Sequence, residues 1–512
     1  MGVRDIFGFG SAEPQLKGRD VAVIDVGSNS VRMVQYRVEG RMLWPVFNEK
    51  TMAGLGGGAA ETGRLNPEGV EAALRTLKRF TQLLDAKGVT TRGAVATAAV
   101  RECVDGPDFV QRVRDETGLV IDVLSGEEEG RYSALGVLAG VGDAWGVTGD
   151  LGGSSLELTG LEGRNTLSAV SLPLGPLAVN AASHKAADLR DHVDEQLAQA
   201  SKLLKDEGDT FYAVGGAWRS FANLSMTLRN YPLRLLHEYE MTPEQVRKAV
   251  DFAMSQSESS LASVPGVAAK RAASLPYAAM LLDRVIKAGE FSRVVFSANG
   301  LREGVVCVSD LSLVQEGDPL LSGAEAMAHS ASPEPAFGLA LADWLEPAFK
   351  GAPAAFSDIR DQRLRAAAAR LCDIGARLHP DHRGDLAFTQ VLYAPIGGLS
   401  HDERAFLALC LHHRYEGKTA RTDECVSSHL LTEEQRAAAV RVGLGLRFGA
   451  ALSGRTAKLL KSFNLSRRED GLLITARPET EDLIVERAWK RFEQFCSAMG
   501  LKPIMSDRRA SR

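Results

Sequence analysis

The chain from residue 20 to about residue 310 consists of short apolar runs separated by glycine-rich turns. Residues 20–48 alternate apolar and polar positions and are rich in β-branched side chains, which predicts three strands in a meander. Asn66 and Pro67 predict the start of a helix that ends at Gly88. The alternation of strands and helices predicts an α/β fold. The other predicted elements are strands at 93–97, 120–124, 145–148, 155–159, 166–172, 211–214 and 293–297, and helices from Pro107, at 176–183 and at 187–206.

The pattern changes beyond about residue 312. Proline and glycine mark a boundary at Gly317-Asp318-Pro319 and again at Ser332-Pro333-Glu334-Pro335. Long segments rich in alanine, leucine and arginine follow, and they predict an all-α region. A short strand from about Leu472 and a helix over Glu481–Met499 predict a small α/β piece near the end.

One unit occurs twice in the α/β part, as Asp25-Val26-Gly27-Ser28-Asn29-Ser30 and as Asp150-Leu151-Gly152-Gly153-Ser154-Ser155-Leu156-Glu157. In each, a predicted strand leads to an acid, a glycine-rich turn and small hydroxyl residues. Glycine lets several backbone N–H groups point at one anion, and serine and asparagine add donors. The acid would repel that anion unless a divalent cation such as Mg²⁺ lay between them. A single copy fits a plain hairpin with a surface aspartate equally well, whereas the repeat predicts a cleft for a metal-bound phosphoanhydride.

A third motif, Ser125-Gly126-Glu127-Glu128-Glu129-Gly130-Arg131, begins a predicted helix. Ser125 is a good N-cap, Glu128 has the position of a capping-box acid, and acids in the first turn complement the helix dipole. One cap does not need three acids, however, and crowded carboxylates raise the proton affinity of at least one of them. One of the three is therefore a candidate general base toward water, and the local chemistry leaves open which.

Two further turns join a strand to a helix. In Val214-Gly215-Gly216-Ala217-Trp218-Arg219, the helix start after the glycines could accept an anion, although a plain connection with a solvated Arg219 is equally compatible with it. Ala298-Asn299-Gly300-Leu301-Arg302-Glu303-Gly304 is a turn of the same kind.

Composition narrows the class of protein. The 512 residues, 45% hydrophobic and 24% charged, are typical of a globular protein with about two to four domains. The net charge of −5 argues against a general nucleic-acid binder. Six cysteines without CxxC spacing indicate neither a zinc site nor a disulfide framework, which fits a reducing cytoplasm. The N-terminus lacks the apolar core of a signal peptide, and no run of about 18 uncharged apolar residues predicts a membrane span.

The five motifs, in the order in which they follow one another along residues 20–310, together resemble the exopolyphosphatase / guanosine pentaphosphate phosphohydrolase family. The resemblance implies two ribonuclease-H-like domains of the actin, hexokinase and Hsp70 superfamily, and a homodimer. We accordingly predict ribonuclease-H-like domains at 18–132 and 133–312, an all-α HD-like domain at 320–465, and a small α/β domain at 466–505.

The resemblance also implies roles for individual residues. Glu129, the acid just before Gly130-Arg131, falls where the family has its catalytic base. Asp25, Asp150 and Glu157 fall on acids around Mg²⁺ or another divalent cation. Ser154 stands where the family usually has a third glycine, which affects the loop geometry but not its role. The implied phosphate-binding residues are Ser28, Asn29, Ser30, Arg101, Gly152, Gly153, Ser154, Ser155, Gly215 and Gly216.

The activity implied by the resemblance is hydrolysis of the terminal phosphoanhydride of inorganic polyphosphate, with release of orthophosphate. Guanosine pentaphosphate is an alternative substrate that the motifs do not separate, although the four-domain length favours a long chain. A superfamily phosphotransferase is disfavoured because no adenosine motif is recognisable, and a non-catalytic phosphate sensor because all the acids are present. Neither a nucleic acid nor a membrane is an expected partner.

Histidines concentrate in the helical part, and the segment resembles the HD-like domain of long family members. A metal-dependent HD enzyme uses a His-Asp pair on a helix, but His401-Asp402 follows Ser400, which predicts Ser400 as an N-cap. We therefore predict the HD-like fold without a second catalytic metal. A track for a distal phosphate chain and plain solvated helix faces are both open for Arg377, His379, His382, Arg383, His412, His413 and Arg414.

Overall fold

The computed structural model describes residues 18–181, 186–418, 425–469 and 471–505. The N-terminal stretch considered above for a signal peptide and the last two residues of the helix predicted over 176–183 lie outside these ranges. Within the described ranges, no helix is both long enough and apolar enough to cross a membrane.

The first sheet and its helices occupy residues 19–141. The elements are β1 (Arg19–Val26), β2 (Val31–Glu39), β3 (Met42–Thr51), α1 (Ala59–Thr62), α2 (Pro67–Ala86), β4 (Thr91–Ala96), α3 (Ala98–Glu102), α4 (Gly106–Thr117), β5 (Asp122–Val123) and α5 (Gly126–Val141). The strand order is β3-β2-β1-β4-β5, with β1, β2 and β3 antiparallel and β4 and β5 parallel to β1. Apolar residues of α2 and α4, such as Phe80 and Phe109, bury one face of this sheet.

The second sheet repeats this topology. Its elements are β6 (Ala144–Leu151), β7 (Leu156–Gly163), β8 (Asn165–Leu172), α6 (Pro176–Ala181), α7 (Ala186–Ala198), α8 (Ser201–Asp206), β9 (Thr210–Val214), α9 (Gly216–Leu228), β10 (Tyr239–Met241), α10 (Pro243–Ser255), α11 (Glu258–Ala262), α12 (Leu275–Gly289), β11 (Arg293–Phe296), α13 (Leu301–Ser309) and α14 (Ser312–Gln315). The order is β10-β11-β9-β6-β7-β8, so an antiparallel meander is again followed by two parallel strands, and β10 is an added antiparallel edge. The mixed α/β architecture predicted for this part of the chain is confirmed.

The last part of the chain is a helical array with a small sheet. Its elements are α15 (Pro319–Ala331), α16 (Pro335–Phe349), α17 (Asp358–Arg370), α18 (Arg383–Tyr393), α19 (His401–Glu416), α20 (Cys425–Leu430), α21 (Glu433–Ser453), α22 (Ala457–Leu460), β12 (Phe463–Arg467), β13 (Gly471–Ala476), α23 (Glu486–Met499) and β14 (Lys502–Met505). The helices and the sheet share one hydrophobic core. β13 is the central strand, antiparallel to β12 and parallel to β14.

Several predicted boundaries were wrong. The strand predicted over 120–124 is reduced to Asp122–Val123, and the helix predicted over 187–206 is divided into α7 and α8. The last helix begins at Glu486 because Pro478–Leu483 forms a separate 3₁₀ turn. The single strand predicted near the end is a three-stranded sheet. β14 contains Pro503, which argues against a strand in a sequence, but β14 is an edge strand, where proline is tolerated.

The helices α5 and α13 join the two sheets. They pack against each other and share a core with Val23 of β1, Val34 of β2 and Val295 of β11. The helices approach closely because one contact residue is a glycine: a Cβ atom on Gly304 would lie 1.6 Å from the carbonyl oxygen of Tyr132. Since that neighbour is backbone, a side chain there would force the helices apart.

We expect Gly304→Ala to lower the free energy of unfolding by about 3 kcal/mol, the upper range for overpacking. Urea denaturation measures this change. The matched control is Gly445→Ala in α21, where the added Cβ would lie 3.1 Å from a ring atom of Phe495, a side chain that can shift. The control should change stability by no more than about 1 kcal/mol. Equal losses in the two variants would contradict the role given to the α5–α13 contact.

Candidate active site

The two predicted loops have the same backbone geometry. The N–H of Gly27 donates to the carbonyl of Ser30 at 3.0 Å, and the N–H of Gly152 donates to the carbonyl of Ser155 at 3.0 Å. The loop carbonyls are also held from outside, because Gly56 N–H donates to Ser28 O and the backbone N–H groups of residues 175 and 177 donate to the second loop. Among the described residues, the N–H groups of 28–30 and 153–155 donate to no backbone carbonyl. Both loops therefore present free donors, as an anion site requires.

The loops face one cleft of about 630 Å³. The cleft lies at the carboxyl ends of the parallel strands β6, β9 and β11, the edge at which α/β sheets usually bind ligands. Gly215 follows β9 with φ 107°, a conformation that favours glycine, and its backbone continues the cleft wall. The predicted residues that line the cleft are Asp25, Ser28, Asn29, Ser30, Glu129, Asp150, Gly152, Gly153, Ser154, Ser155, Gly215 and Gly216.

Strand register places equivalent rows of side chains at the two loops. In the first sheet Asp25 pairs with Arg32, and Arg32 pairs with Lys50. In the second sheet Asp150 pairs with Glu157, which pairs in turn with a serine of β8. Paired residues of antiparallel strands project from the same face. The two loops are thus alike in backbone but differ in charge, since one row adds two cations and the other adds a second carboxylate.

The structure separates the three glutamates at the start of α5. Glu128 completes the capping box: its Oε2 accepts from Ser125 N–H at 2.8 Å, and Ser125 Oγ accepts from Glu128 N–H at 3.2 Å. The backbone N–H of Ser125, and also its hydroxyl at 2.8 Å, donate to this carboxylate and lower the pKa of Glu128. Glu127 is exposed and forms an ion pair with Arg131 at 3.7 Å. Glu129 is buried, with 8% of its surface exposed, and it alone of the three lines the cleft.

Glu129 belongs to a group of buried carboxylates. Burial raises its pKa well above the usual range, and the neighbouring carboxylates of Glu157 and Asp150 raise it further. Burial likewise raises the pKa of Glu157 to about 7. Arg101 opposes this effect, because its Nη1 donates to Glu129 Oε2 at 3.3 Å. A carboxyl group with a raised pKa beside a cleft is suited to exchange protons near neutral pH.

The two loop aspartates have different partners. Asp25 Oδ2 accepts from Arg302 Nη1 at 3.0 Å, and Asp150 Oδ2 accepts from Ser133 Oγ at 2.6 Å. Burial raises the pKa of Asp150, and the hydrogen bond from Ser133 opposes that rise. The two aspartates line the same cleft, as the repeated motif predicts.

Cations outnumber carboxylates along the cleft. Asp25, Glu129 and Asp150 are its acids. Burial, followed by the charges of three neighbouring cations of the cleft, lowers the pKa of Lys50 to about 8. This mutual repulsion would be relieved by a bound polyanion. The cations that line the cleft are Arg32, Lys50, Arg219, Lys270, Arg271 and Arg302.

Comparison with known proteins matches this arrangement. The model of the Ppx/GppA phosphatase family matches residues 33–313, which is more than half of the chain, and the model described as exopolyphosphatase, C-terminal, matches residues 320–505. The chain belongs to the Ppx/GppA phosphatase family. The resemblance stated from the five motifs is confirmed.

Several similar proteins each cover somewhat more than half of this chain. Exopolyphosphatase 1 of Mycobacterium tuberculosis is 27% identical over 299 residues, which are 56% of this chain and 87% of that protein. A crystal structure of the Aquifex aeolicus Ppx/GppA family member has a TM-score of 0.53 at 27% identity, and covers 58% of this chain and 100% of that one. An exopolyphosphatase from Cytophaga hutchinsonii, 22% identical with a TM-score of 0.53 over 57% of this chain and 97% of that one, shares the fold.

Two predicted site residues of this Ppx/GppA chain lie behind the cleft wall. Arg101 does not line the cleft: it donates to Leu124 O at 2.8 Å and to Glu129, so its predicted contact with phosphate stays a prediction. Glu157 is 1% exposed and does not line the cleft either. Its Oε1 accepts from Ser171 Oγ at 3.0 Å, whereas its Oε2 is buried and has no hydrogen-bond partner among the described residues.

The site has cations that the motif analysis did not assign to it. Arg302 was part of a quoted motif but had no role, Arg32 was interpreted only as a strand residue, and Lys50 lay two positions beyond the strands predicted over 20–48. The position of Arg32 could have been predicted from the sequence, because a tight hairpin after Asp25 pairs Asp25 with the residue seven positions later. Lys270 and Arg271 lie between recognised motifs and have no local signal.

The acids of the site fit a Mg²⁺ ion that is held jointly by protein carboxylates, substrate phosphate and water. Within the described ranges, no group of three or more His, Cys, Asp or Glu residues is placed to hold a metal ion by itself. Carboxylate oxygens are nevertheless the ligands that Mg²⁺ prefers, and Mg²⁺ commonly uses one or two carboxylates together with substrate phosphate and water. The unpartnered Oε2 of Glu157 and the raised pKa of the carboxylates fit a nearby cation. The metal roles of Asp25, Asp150 and Glu157 stay predictions.

The histidines of the helical part have other partners. Ser400 caps α19 with Glu403 in a capping box, as predicted. His401 Nδ1 lies 3.0 Å from Tyr231 Oη. His412, His413 and Arg414 are buried, so the interpretation of these three as parts of solvated helix faces was wrong. The track for a distal phosphate chain stays a prediction.

Proposed function

We propose that this protein is an exopolyphosphatase, which hydrolyses the terminal phosphoanhydride of inorganic polyphosphate and releases orthophosphate. The observation that carries the proposal is that two glycine-serine loops, a buried glutamate and six cations meet in one cleft. The names of the Mycobacterium tuberculosis relative and of the C-terminal family model support the same activity.

Binding of the chain end would use donors and charge. The free N–H groups of the loops at 28–30 and 153–155 and the hydroxyls of their serines can surround phosphoryl oxygens. Cations such as Arg32, Lys50 and Arg219 would neutralise the following phosphates. An extended row of charges beyond the loops favours a chain of phosphates over a single phosphate.

Glu129 is the proposed general base. Its carboxylate reaches the cleft between the loops, where it can orient a water molecule and accept its proton as the oxygen attacks the terminal phosphorus in line. Arg101 holds Glu129 in place and favours its ionised form. Asp150, Asp25 and Glu157 are the proposed ligands of Mg²⁺, which when bound would neutralise charge on the phosphoryl oxygens and the leaving group.

The proposal also covers the domain boundaries, the cellular compartment and the oligomeric state. We place ribonuclease-H-like domains at 18–132 and 133–312, an HD-like domain without a second catalytic metal at 320–465, and a small α/β domain at 466–505. Five cysteines of the described residues are free and buried, which fits a reducing cytoplasm. A homodimer is expected, and light scattering on the full chain would measure it.

The test compares phosphate release from long-chain polyphosphate, guanosine pentaphosphate and ATP, with Mg²⁺ and with EDTA. We expect the highest kcat/KM for polyphosphate with Mg²⁺ and no release with EDTA. A preference for guanosine pentaphosphate would replace polyphosphate as the substrate within the same mechanism. Turnover of ATP alone would favour a phosphotransferase-like site, and the absence of turnover on all three would favour a sensor.

The raised pKa values predict a pH dependence. A protonated Glu129 cannot accept a proton, so kcat/KM should fall as pH is lowered through the pKa of Glu129, which burial and the neighbouring carboxylates raise well above the usual range of a glutamate. A cation beside carboxylates favours their ionised forms. The midpoint of this fall should therefore move to lower pH as the Mg²⁺ concentration is raised. A midpoint that does not respond to Mg²⁺ would argue against a metal near Glu129 and Glu157.

A further inference from the structure

A second cleft in the helical part is lined by six arginines. It has a volume of about 440 Å³ and lies where α18, α19, α21 and α23 meet. None of its lining residues lines the catalytic cleft. The six are Arg383, Arg414, Arg447, Arg455, Arg487 and Arg491.

This arginine pocket has almost no compensating negative charge. Among the described residues, Asp373 is the carboxylate within 4.0 Å of any of the six, and it is shared by Arg414 at 3.4 Å and Arg455 at 3.5 Å. Burial, together with the charges of neighbouring arginines, lowers the pKa of Arg491 to about 10. Like charges at this density oppose folding unless a partner offsets them.

Hydrogen bonds hold four of the six arginines in place: Arg383, Arg414, Arg447 and Arg455. Arg383 Nη2 donates to the carbonyls of residues 376 and 378 at 3.2 Å, and Arg447 donates to Tyr415 O. Arg414 has 7% of its surface exposed, and its Nε has no hydrogen-bond partner in the described part of the chain. A guanidinium that is nine-tenths buried, incompletely bonded and set into a cleft indicates a missing acceptor.

We propose that the arginine pocket is a binding site for a compact anion that carries several phosphate groups, separate from the catalytic cleft. Guanidinium groups bind phosphate oxygens in pairs, which makes arginine the preferred residue for this chemistry. The six groups surround one cavity of small-ligand size, so they match a compact frame better than an extended chain.

The aromatic content argues against a nucleotide. Tyr415 is the aromatic residue of the pocket, and the guanidiniums of Arg383 and Arg414 lie 5.8 Å and 4.8 Å from its ring centroid. Its ring is therefore occupied by cations, and no other aromatic side chain lines the pocket among the described residues. The ligand is recognised by its phosphates alone.

Calorimetric titration with myo-inositol hexakisphosphate and with tripolyphosphate, in EDTA to prevent turnover, tests the site on the full chain. The variant is Arg487→Gln/Arg491→Gln, because no ion pair or hydrogen bond joins these two side chains to described residues. The matched control is Arg468→Gln/Arg477→Gln, which removes the same charge from exposed positions outside the pocket. Long-chain polyphosphate is the third probe.

We expect at least one compact probe to bind wild type saturably and to raise its thermal midpoint. The pocket variant should bind it about tenfold or more weakly, and the control within about twofold of wild type. Equal affinity of wild type and pocket variant would overturn the site. Binding of long-chain polyphosphate alone would overturn the compact ligand and make the pocket part of a substrate path. Since binding is measured without turnover, a failed activity assay would not affect this result.

Discussion

Glu129→Gln is expected to lower kcat for phosphate release from polyphosphate about a hundredfold or more, the scale of losing a general base. The amide keeps the size of the side chain and can still accept from Arg101, but it cannot take a proton from water. KM should change little, because the loops and the cations that hold the phosphate chain are untouched. Steady-state kinetics with a phosphate assay would separate the two constants.

The neighbouring glutamates supply matched controls on the same helical turn. Glu127→Gln should leave kcat within about twofold of wild type, because Glu127 is exposed and its ion pair with Arg131 contributes little. Glu128→Gln should change stability by no more than about 0.5 kcal/mol and leave kcat within about twofold of wild type, because glutamine forms the same capping box in α10 and α21. Near-wild-type turnover of the Glu129 variant, or an equal loss in all three, would remove Glu129 from its proposed role.

The loops were predictable because their information is local. An acid, glycines and hydroxyl residues after an apolar run specify a turn with free donors whatever surrounds it, and Gly27 and Gly152 form the same hydrogen bond. The choice among the glutamates was not local. Capping logic identified Glu128 correctly, but the raised pKa of Glu129 depends on its burial and on the charges of Glu157 and Asp150, which belong to another sheet. Only the family resemblance pointed to Glu129 before the structure did.

Lys50 shows why cross-strand partners cannot always be predicted by counting residues from a hairpin turn. The β2–β3 hairpin pairs Glu39 with Met42, and an unbroken ladder from that turn would place Glu49 opposite Arg32. A bulge between Gln35 and Tyr36 shifts the register by one residue and places Lys50 there instead. One irregularity therefore replaces an acid with a cation at the cleft.

Some of the basic residues of the helical part were interpreted incorrectly from the sequence. A sequence of histidines and arginines on helices suggested one surface, yet His412 and His413 are buried. Of the six arginines of the second cleft, only Arg383 and Arg414 were in that predicted set. The other four were not grouped in advance, because their proximity depends on how α19, α21 and α23 cross.

Arg302→Gln is expected to lower kcat/KM for polyphosphate about a hundredfold and to lower the free energy of unfolding by about 2 kcal/mol. This loss of stability is smaller than for a fully buried ion pair, because both side chains are about one-fifth exposed. Arg302 is the second residue of α13, and it reaches across to the first loop, where it donates to Asp25. The adjacent Glu303 accepts from Tyr36 Oη and from Gly300 N–H. The start of α13 thus fixes the first loop relative to the second sheet. Losing Arg302 also leaves the Asp25 carboxylate unpaired beside the incoming phosphates.

A double-mutant cycle with Asp25→Asn isolates this contact. If Arg302 acts through Asp25, the double variant should lose less stability than the sum of the single variants, since the asparagine no longer leaves a buried charge unpaired. Arg293→Gln is the matched control, because its ion pair with Glu240 at 3.6 Å is exposed on both sides and should contribute no more than about 0.5 kcal/mol. Strictly additive losses of stability would show that Arg302 and Asp25 act independently, and that the first loop is positioned by its own hydrogen bonds to residues 54 and 56.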